Sequence, residues 1–301
     1  MTAEQRGISV TAELTDMATS AALKAGQRLR LFQVDSFAEK AFSGNPAAVV
    51  PLASWVSDDL LQNIAMENNL SETAFFVPMS EAGVYHIRWF TPLSEVDLCG
   101  HATMASGHVI FNELGYPGRS ITFQSKSGSL GVSIDENKKL LSLDFPADVV
   151  RPLSPAAPSK EDIEDIIGVP SVECVQGVSD LLVIVNGEDL VRDLSPDLNR
   201  IAAFDESIRG IVVSSRGENC DFVSRCFFPR IGIPEDPVTG SSHCLSAMYW
   251  RNIFDQDILV AEQLSARGGK LLCRVSIQEN RVHLSGSCVT YLEGTLKGLN
   301  P

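Results

Sequence analysis

One stretch of this chain occurs twice, and that repetition limits what the chain can fold into. Arg88-Trp89-Phe90-Thr91-Pro92 leads to Cys99-Gly100-His101-Ala102-Thr103 and an apolar run to Phe111. Arg225-Cys226-Phe227-Phe228-Pro229 leads to Thr239-Gly240-Ser241-Ser242-His243 and an apolar run to Trp250. Each copy reads Arg-x-Phe-x-Pro, a polar turn, then a Gly that opens a segment of small and apolar residues. Such a segment has no polar face, so it predicts a buried helix rather than a surface one. An internal repeat of this kind divides the chain into two similar halves.

The copies differ by a three-residue insertion between the Pro and the Gly, with Glu235-Asp236-Pro237 in the longer connection. A Gly-led helix start presents unpaired backbone N–H groups and the positive end of the helix dipole, so two such starts suit an anion. The same glycines also serve close packing of a central helix, and the motif alone leaves both readings open.

At 301 residues the chain has room for two domains, which is what the repeat requires. A formal charge of −14 argues against nucleic acid or an anionic membrane surface as a partner, and an anionic substrate would need local donors. Seven cysteines without CxxC spacing or a Cys/His cluster suit free thiols in a reducing compartment, with no disulfide framework and no metal site. No apolar run approaches the roughly 18–20 residues of a membrane span. A cytoplasmic, soluble protein is expected.

Residues 1–28 read as an N-terminal arm. From Leu29 the pattern alternates as a strand, Phe42-Ser43-Gly44-Asn45-Pro46 is a turn, and Ala47–Val50 begins a second strand. Ser57-Asp58-Asp59 opens a helix that should run to about Asn68. Asn69-Leu70-Ser71-Glu72-Thr73 then enters an apolar strand. A carboxylate at that mouth either faces solvent or sits in a cleft with a raised pKa, as a general acid/base near neutrality requires; the neighbours of Glu72 leave both open. Turns are expected at Lys126-Ser127-Gly128 and Glu136-Asn137-Lys138. Pro146, Pro152, Pro155 and Pro158 mark a linker, which gives a first domain over 29–145 and a second over 146–287. The C-terminal strand, 288–301, is expected to complete the first.

The P-loop, dinucleotide, zincin and serine-hydrolase-elbow motifs are missing from the sequence. Three ionisable residues remain near the repeat: Glu72, His101 and Asp236. If the halves face each other these converge on one cleft, a geometry for proton transfer on a carboxylate-bearing substrate. His108 and His243 lie in the apolar segments and read as packing histidines. Cys99 precedes a helix start, but its counterpart is Thr239, which argues against a symmetric two-thiol racemase.

Phe42–Pro46, Asn69–Thr73, Cys99–Thr103 and Glu235–Ser241 occur together in an order that resembles the PhzF family, the phenazine biosynthesis-like proteins, from about Leu29 to the C-terminus. The resemblance implies an α+β, diaminopimelate epimerase-like fold of two pseudo-symmetric domains, each a curved mixed β-sheet or barrel wrapped around a central α-helix. It also implies a cofactor-independent isomerase, acting on a small metabolite similar to trans-2,3-dihydro-3-hydroxyanthranilate, and a homodimer. Carried over by motif, Glu72 removes and returns the proton, with His101 and Asp236 assisting. Asn45, Ser71, Gly100, Thr239, Gly240 and Ser241 would surround the substrate. Two rivals share these residues: an amino-acid racemase or epimerase on the same fold, and a non-catalytic protein that binds a small ligand.

Overall fold

The computed structural model describes residues 28–135 and 139–299. The N-terminal arm therefore lies outside the described residues but for Arg28, and so does the turn expected at Glu136-Asn137-Lys138. The chain opens with β1 (Leu29–Ser36), β2 (Asn45–Pro51), α1 (Asp58–Asn68), β3 (Glu72–Pro78), β4 (Val84–Phe90) and β5 (Glu95–Val96). The first central helix, α2 (Gly100–His108), precedes β6 (Ser120–Ser125), β7 (Gly128–Asp135), β8 (Leu140–Pro146) and β9 (Arg151–Pro152). Next come α3 (Lys160–Ile167), β10 (Glu173–Gln176), β11 (Asp180–Ile184), α4 (Glu188–Arg192), α5 (Leu198–Ala202), β12 (Gly210–Arg216) and β13 (Phe222–Phe228). β14 (Ile233–Asp236), the second central helix α6 (Gly240–Phe254), β15 (Ile258–Gln263), β16 (Gly269–Ser276), β17 (Arg281–Gly286) and β18 (Cys288–Leu296) complete it.

Two compact units result. One holds residues up to Phe42, Pro46–Leu143 and Ser287 onward; the other holds Ser43–Asn45 and Asp144–Gly286. The change of unit falls inside β8, and the proline-rich stretch that follows is not bare connection, since Arg151–Pro152 pairs with β10. A two-residue strand tolerates its proline because that residue need not donate to a ladder.

In the first unit β2 and β3 are parallel, β3 and β4 antiparallel, β4 and β6 parallel, and β6 and β7 antiparallel. In the second, β11 and β12 are parallel, β12 and β13 antiparallel, β13 and β15 parallel, and β15 and β16 antiparallel. The same alternation in both units is the pseudo-symmetry that the repeat announced, in a mixed sheet wrapped on a helix. The C-terminal β18 lies antiparallel to β1, with Leu29 opposite Leu296 and Ser36 opposite Cys288.

The two arginines of the repeat do the same thing in each unit. Arg88 forks onto Glu95 through Nε and Nη2 at 2.8 and 2.9 Å, and Arg225 forks onto Glu235 at 2.7 and 2.9 Å. Both glutamates lie on the short strand ahead of the central helix, so each fork ties that connection to the strand before it. The Arg88 guanidinium holds the Glu95 carboxyl down at about 2.

From His101 to His108 every residue of α2 is buried, as a segment with no exposed polar face requires. Gly107 lets it approach the sheet: a Cβ there would stand 2.7 Å from Val132 Cγ1 of β7. Beyond His108 the coil loosens into a π turn, Val109–Glu113, which ends the apolar run at Phe111 and carries the helix two polar residues further. α1 starts with Asp58 and Asp59, acids that suit the positive helix end, and stops at Asn69, whose left-handed backbone (φ 50°) turns the chain into β3. That stop delivers Glu72.

Candidate active site

In the first unit β3 and the start of α2 bring three sequence-predicted or neighbouring groups together. Glu72 is the first residue of β3 and 8% exposed; it lies opposite Ala47 in the parallel β2–β3 pair. His101, 7% exposed, is the second residue of α2. Its Nε2 lies 3.1 Å from Glu72 Oε2, while its Nδ1 lies 3.5 Å from Cys99 Sγ. The carboxylate and imidazole are in ion-pair contact but off hydrogen-bond alignment, and among the described residues neither Oε2 nor Nε2 has a hydrogen-bond partner. Buried polar atoms in that state usually meet a ligand or water.

Burial alone would push the His101 pKa down. The Cys99 and Glu72 groups facing its two nitrogens outweigh burial and raise it well above the usual histidine value. Burial first, then the Glu72 charge, lifts the Cys99 thiol to about 11. Donor atoms of Glu72, Cys99 and His101 all lie within 4.8 Å of one another, a grouping that could hold a metal ion. The sulfur and the carboxylate, however, approach opposite nitrogens of one imidazole. The imidazole thus has the thiol beside one ring nitrogen and the carboxylate beside the other.

Gly100 opens α2 with no acidic residue in the first turn and no side-chain cap from Cys99, whose carbonyl accepts from Thr103 Oγ1 at 2.6 Å. The backbone donors of that turn are left for another partner. Ser71, half-buried, precedes Glu72 in the connection from α1.

The second unit repeats the helix start with a different surround. Gly240 opens α6 behind Thr239, again with no acid and no side-chain cap. Asp236 is buried and both its oxygens are engaged: Oδ1 accepts from Asn45 Nδ2 at 2.9 Å and Oδ2 from Thr239 Oγ1 at 2.5 Å. Asn45 Nδ2 also donates to the Val238 carbonyl at 2.9 Å. Gln263 accepts from the Thr239 N–H at 2.8 Å and donates to the Asp236 carbonyl at 2.6 Å. These bonds fix the connection that enters α6. Ser241 Oγ accepts from Arg209 Nη2 at 3.0 Å.

Asn45, Asp236, Thr239, Gly240 and Ser241 are thus gathered in one unit, and Ser71, Glu72, Gly100 and His101 in the other. Sequence reasoning missed Arg209, Asp180 and Gln263, polar residues at the starts or ends of strands with no local motif around them. A charged pair flanking two apolar strands, Asp180 before Leu-Leu-Val-Ile and Arg209 before Gly-Ile-Val-Val, was the one signal available.

Residues 34–294 match the family model described as phenazine biosynthesis-like protein. An uncharacterized isomerase of Pseudomonas aeruginosa is 43% identical over 270 residues, covering 90% of this chain and 99% of its own length. The phenazine biosynthesis-like domain-containing protein of Homo sapiens is 34% identical over 295 residues, covering 89% and 99%. The crystal structure of a PhzF-family protein from Enterococcus faecalis superposes with a TM-score of 0.84 at 40% identity, over 90% of this chain and 99% of that one. A hydroxyproline epimerase of Agrobacterium vitis, at 9% identity and a TM-score of 0.55, shares the fold alone. Both the sequence and the two matched units therefore place the chain in the PhzF family of phenazine biosynthesis-like proteins, with the epimerase-like fold and relatives that carry the name isomerase.

Proposed function

We propose that the protein is a cofactor-independent isomerase that moves a proton on a small carboxylate-bearing metabolite, with Glu72 as the acid/base. The observation that carries this is the buried Glu72–His101 contact, 3.1 Å long, in which the facing oxygen and nitrogen lack any other hydrogen-bond partner among the described residues. A carboxylate beside a protonated imidazole, both shielded from water, can take a proton from a substrate carbon and give it back elsewhere. His101 supports the carboxylate and is the nearest proton donor to it.

Asp236 is a supporting group in this reading. With both oxygens accepting, it organises Asn45 and Thr239 ahead of α6. In the second unit the Gly240 helix start, with Ser241, takes the substrate carboxylate. A racemase that uses Cys99 as its second base draws less support, because that thiol is buried and holds its proton to about 11.

The test is solvent exchange. The protein in D2O, given dihydro-hydroxyanthranilate and a panel of amino acids, should place deuterium in the ring acid and release an isomerised product. Exchange at the α-carbon of an amino acid would favour the racemase. Compounds that raise the melting temperature with no exchange at all would refute catalysis and leave a ligand-binding protein.

A further inference from the structure

Beside the start of α6 stands an arginine that no part of the reading above employs. Arg209 forks onto Asp180, Nε to Oδ1 at 2.8 Å and Nη2 to Oδ2 at 2.5 Å, and its guanidinium lies 4.4 Å from the centre of the Phe228 ring. The Asp180 side chain is only 4% exposed. A planar guanidinium held by a bidentate carboxylate and an aromatic face has one orientation. The second hydrogen of Nη2 goes to Ser241 Oγ at 3.0 Å.

That bond fixes what Ser241 can do. A guanidinium only donates, so the serine oxygen must accept, and its own proton turns to a different acceptor. Ser242 next to it spends its proton on Asp180 Oδ2 at 3.2 Å. The Ser241 proton has no protein acceptor among the described residues. It sits one residue into a helix whose first turn has neither acid nor side-chain cap.

We propose that Arg209 is a positioning residue: it makes Ser241 a hydrogen-bond donor to the substrate's carboxylate and so selects anionic over neutral substrates. This rests on the reading that the Gly240–Ser241 helix start takes that carboxylate. Arg209 acts through the serine, and Asp180 and Phe228 keep it in place.

Titration calorimetry with anthranilate and its neutral isostere anthranilamide tests both statements separately. The native protein should bind the acid more tightly than the amide. Arg209→Met should weaken anthranilate about 10- to 100-fold, the worth of a hydrogen bond to a charged group, and leave the amide nearly unchanged. Ser241→Ala should do the same, and the double variant should be no worse than either, because the two act as one unit. Arg209→Lys, which keeps the charge and much of the stem, should lose the preference too, since an ammonium cannot hold the Asp180 fork and Ser241 together; it serves if Arg209→Met does not fold. A native preference for the acid that survives in Arg209→Lys or Arg209→Met overturns the role of Arg209 and leaves the carboxylate reading standing. A native protein that does not distinguish the two probes overturns the carboxylate reading and this inference with it.

Discussion

Acid should weaken the second unit through one side chain, His243. This imidazole is fully buried in α6, with Nδ1 2.7 Å from the Thr239 carbonyl and Nε2 3.5 Å from Ser224 Oγ. Burial lowers its pKa from 6.5 to about 4, against a smaller opposite effect of the Thr239 carbonyl. In the unfolded chain the same group takes up a proton near 6.5. Between those values the unfolded state binds more protons than the native one, so stability falls as pH falls. The loss begins near pH 6.5 and is complete below about 4, and it amounts to about 3 kcal/mol at about 1.36 kcal/mol per pKa unit. Against a typical total of about 5–15 kcal/mol that is a large share. The assay is urea unfolding across this range for the native protein and for His243→Asn, whose amide nitrogen can still donate to the Thr239 carbonyl but does not titrate. Carboxylates titrate in both proteins and cancel in the difference. The variant should start less stable, and the gap should close by about 3 kcal/mol as pH drops from 7 to 4. Parallel curves would refute the reasoning.

Two further outcomes follow from packing. Gly210→Ala would set a Cβ 2.1 Å from the Phe227 carbonyl oxygen and 2.7 Å from Phe228 Cδ1, and backbone in the β12–β13 pair cannot step aside; thermal melting should show a loss of about 3 kcal/mol or more, whereas Gly131→Ala, with nothing within 4 Å, should change stability by less than about 1 kcal/mol. Cys99 should resist brief iodoacetamide treatment that modifies the half-exposed Cys174, since it is 7% exposed and holds its proton to about 11; comparable modification rates by mass spectrometry would contradict its burial.

Sequence and structure agree most closely where local chemistry decides the outcome. Asp58 and Asp59 at one end and Asn69 at the other bracket α1, and both apolar segments after Gly100 and Gly240 are buried helices. The repeated Arg-x-Phe-x-Pro was legible as a repeat, but its cause was not: Glu95 lies seven residues from Arg88 and Glu235 ten from Arg225, so no fixed spacing marks the fork. For the same reason Arg209 stayed hidden. Its partners, Asp180 and Ser241, are 29 and 32 residues away, brought in by the β11–β12 pairing and by the start of α6. Glu72 was ambiguous until burial and the 3.1 Å approach to His101 were known. Its neighbours in sequence are compatible with a solvent-facing carboxylate, and only the fold of β3 against α2 puts it out of water.

The central claim is that Glu72 moves the proton. The direct measurement is the rate of deuterium incorporation into dihydro-hydroxyanthranilate in D2O by the native protein and by Glu72→Gln, which keeps the size of the side chain and removes its ability to accept a proton. The account predicts a fall of about 10²- to 10⁴-fold in the variant, with its melting temperature near that of the native protein. Equal rates in the two proteins would contradict it.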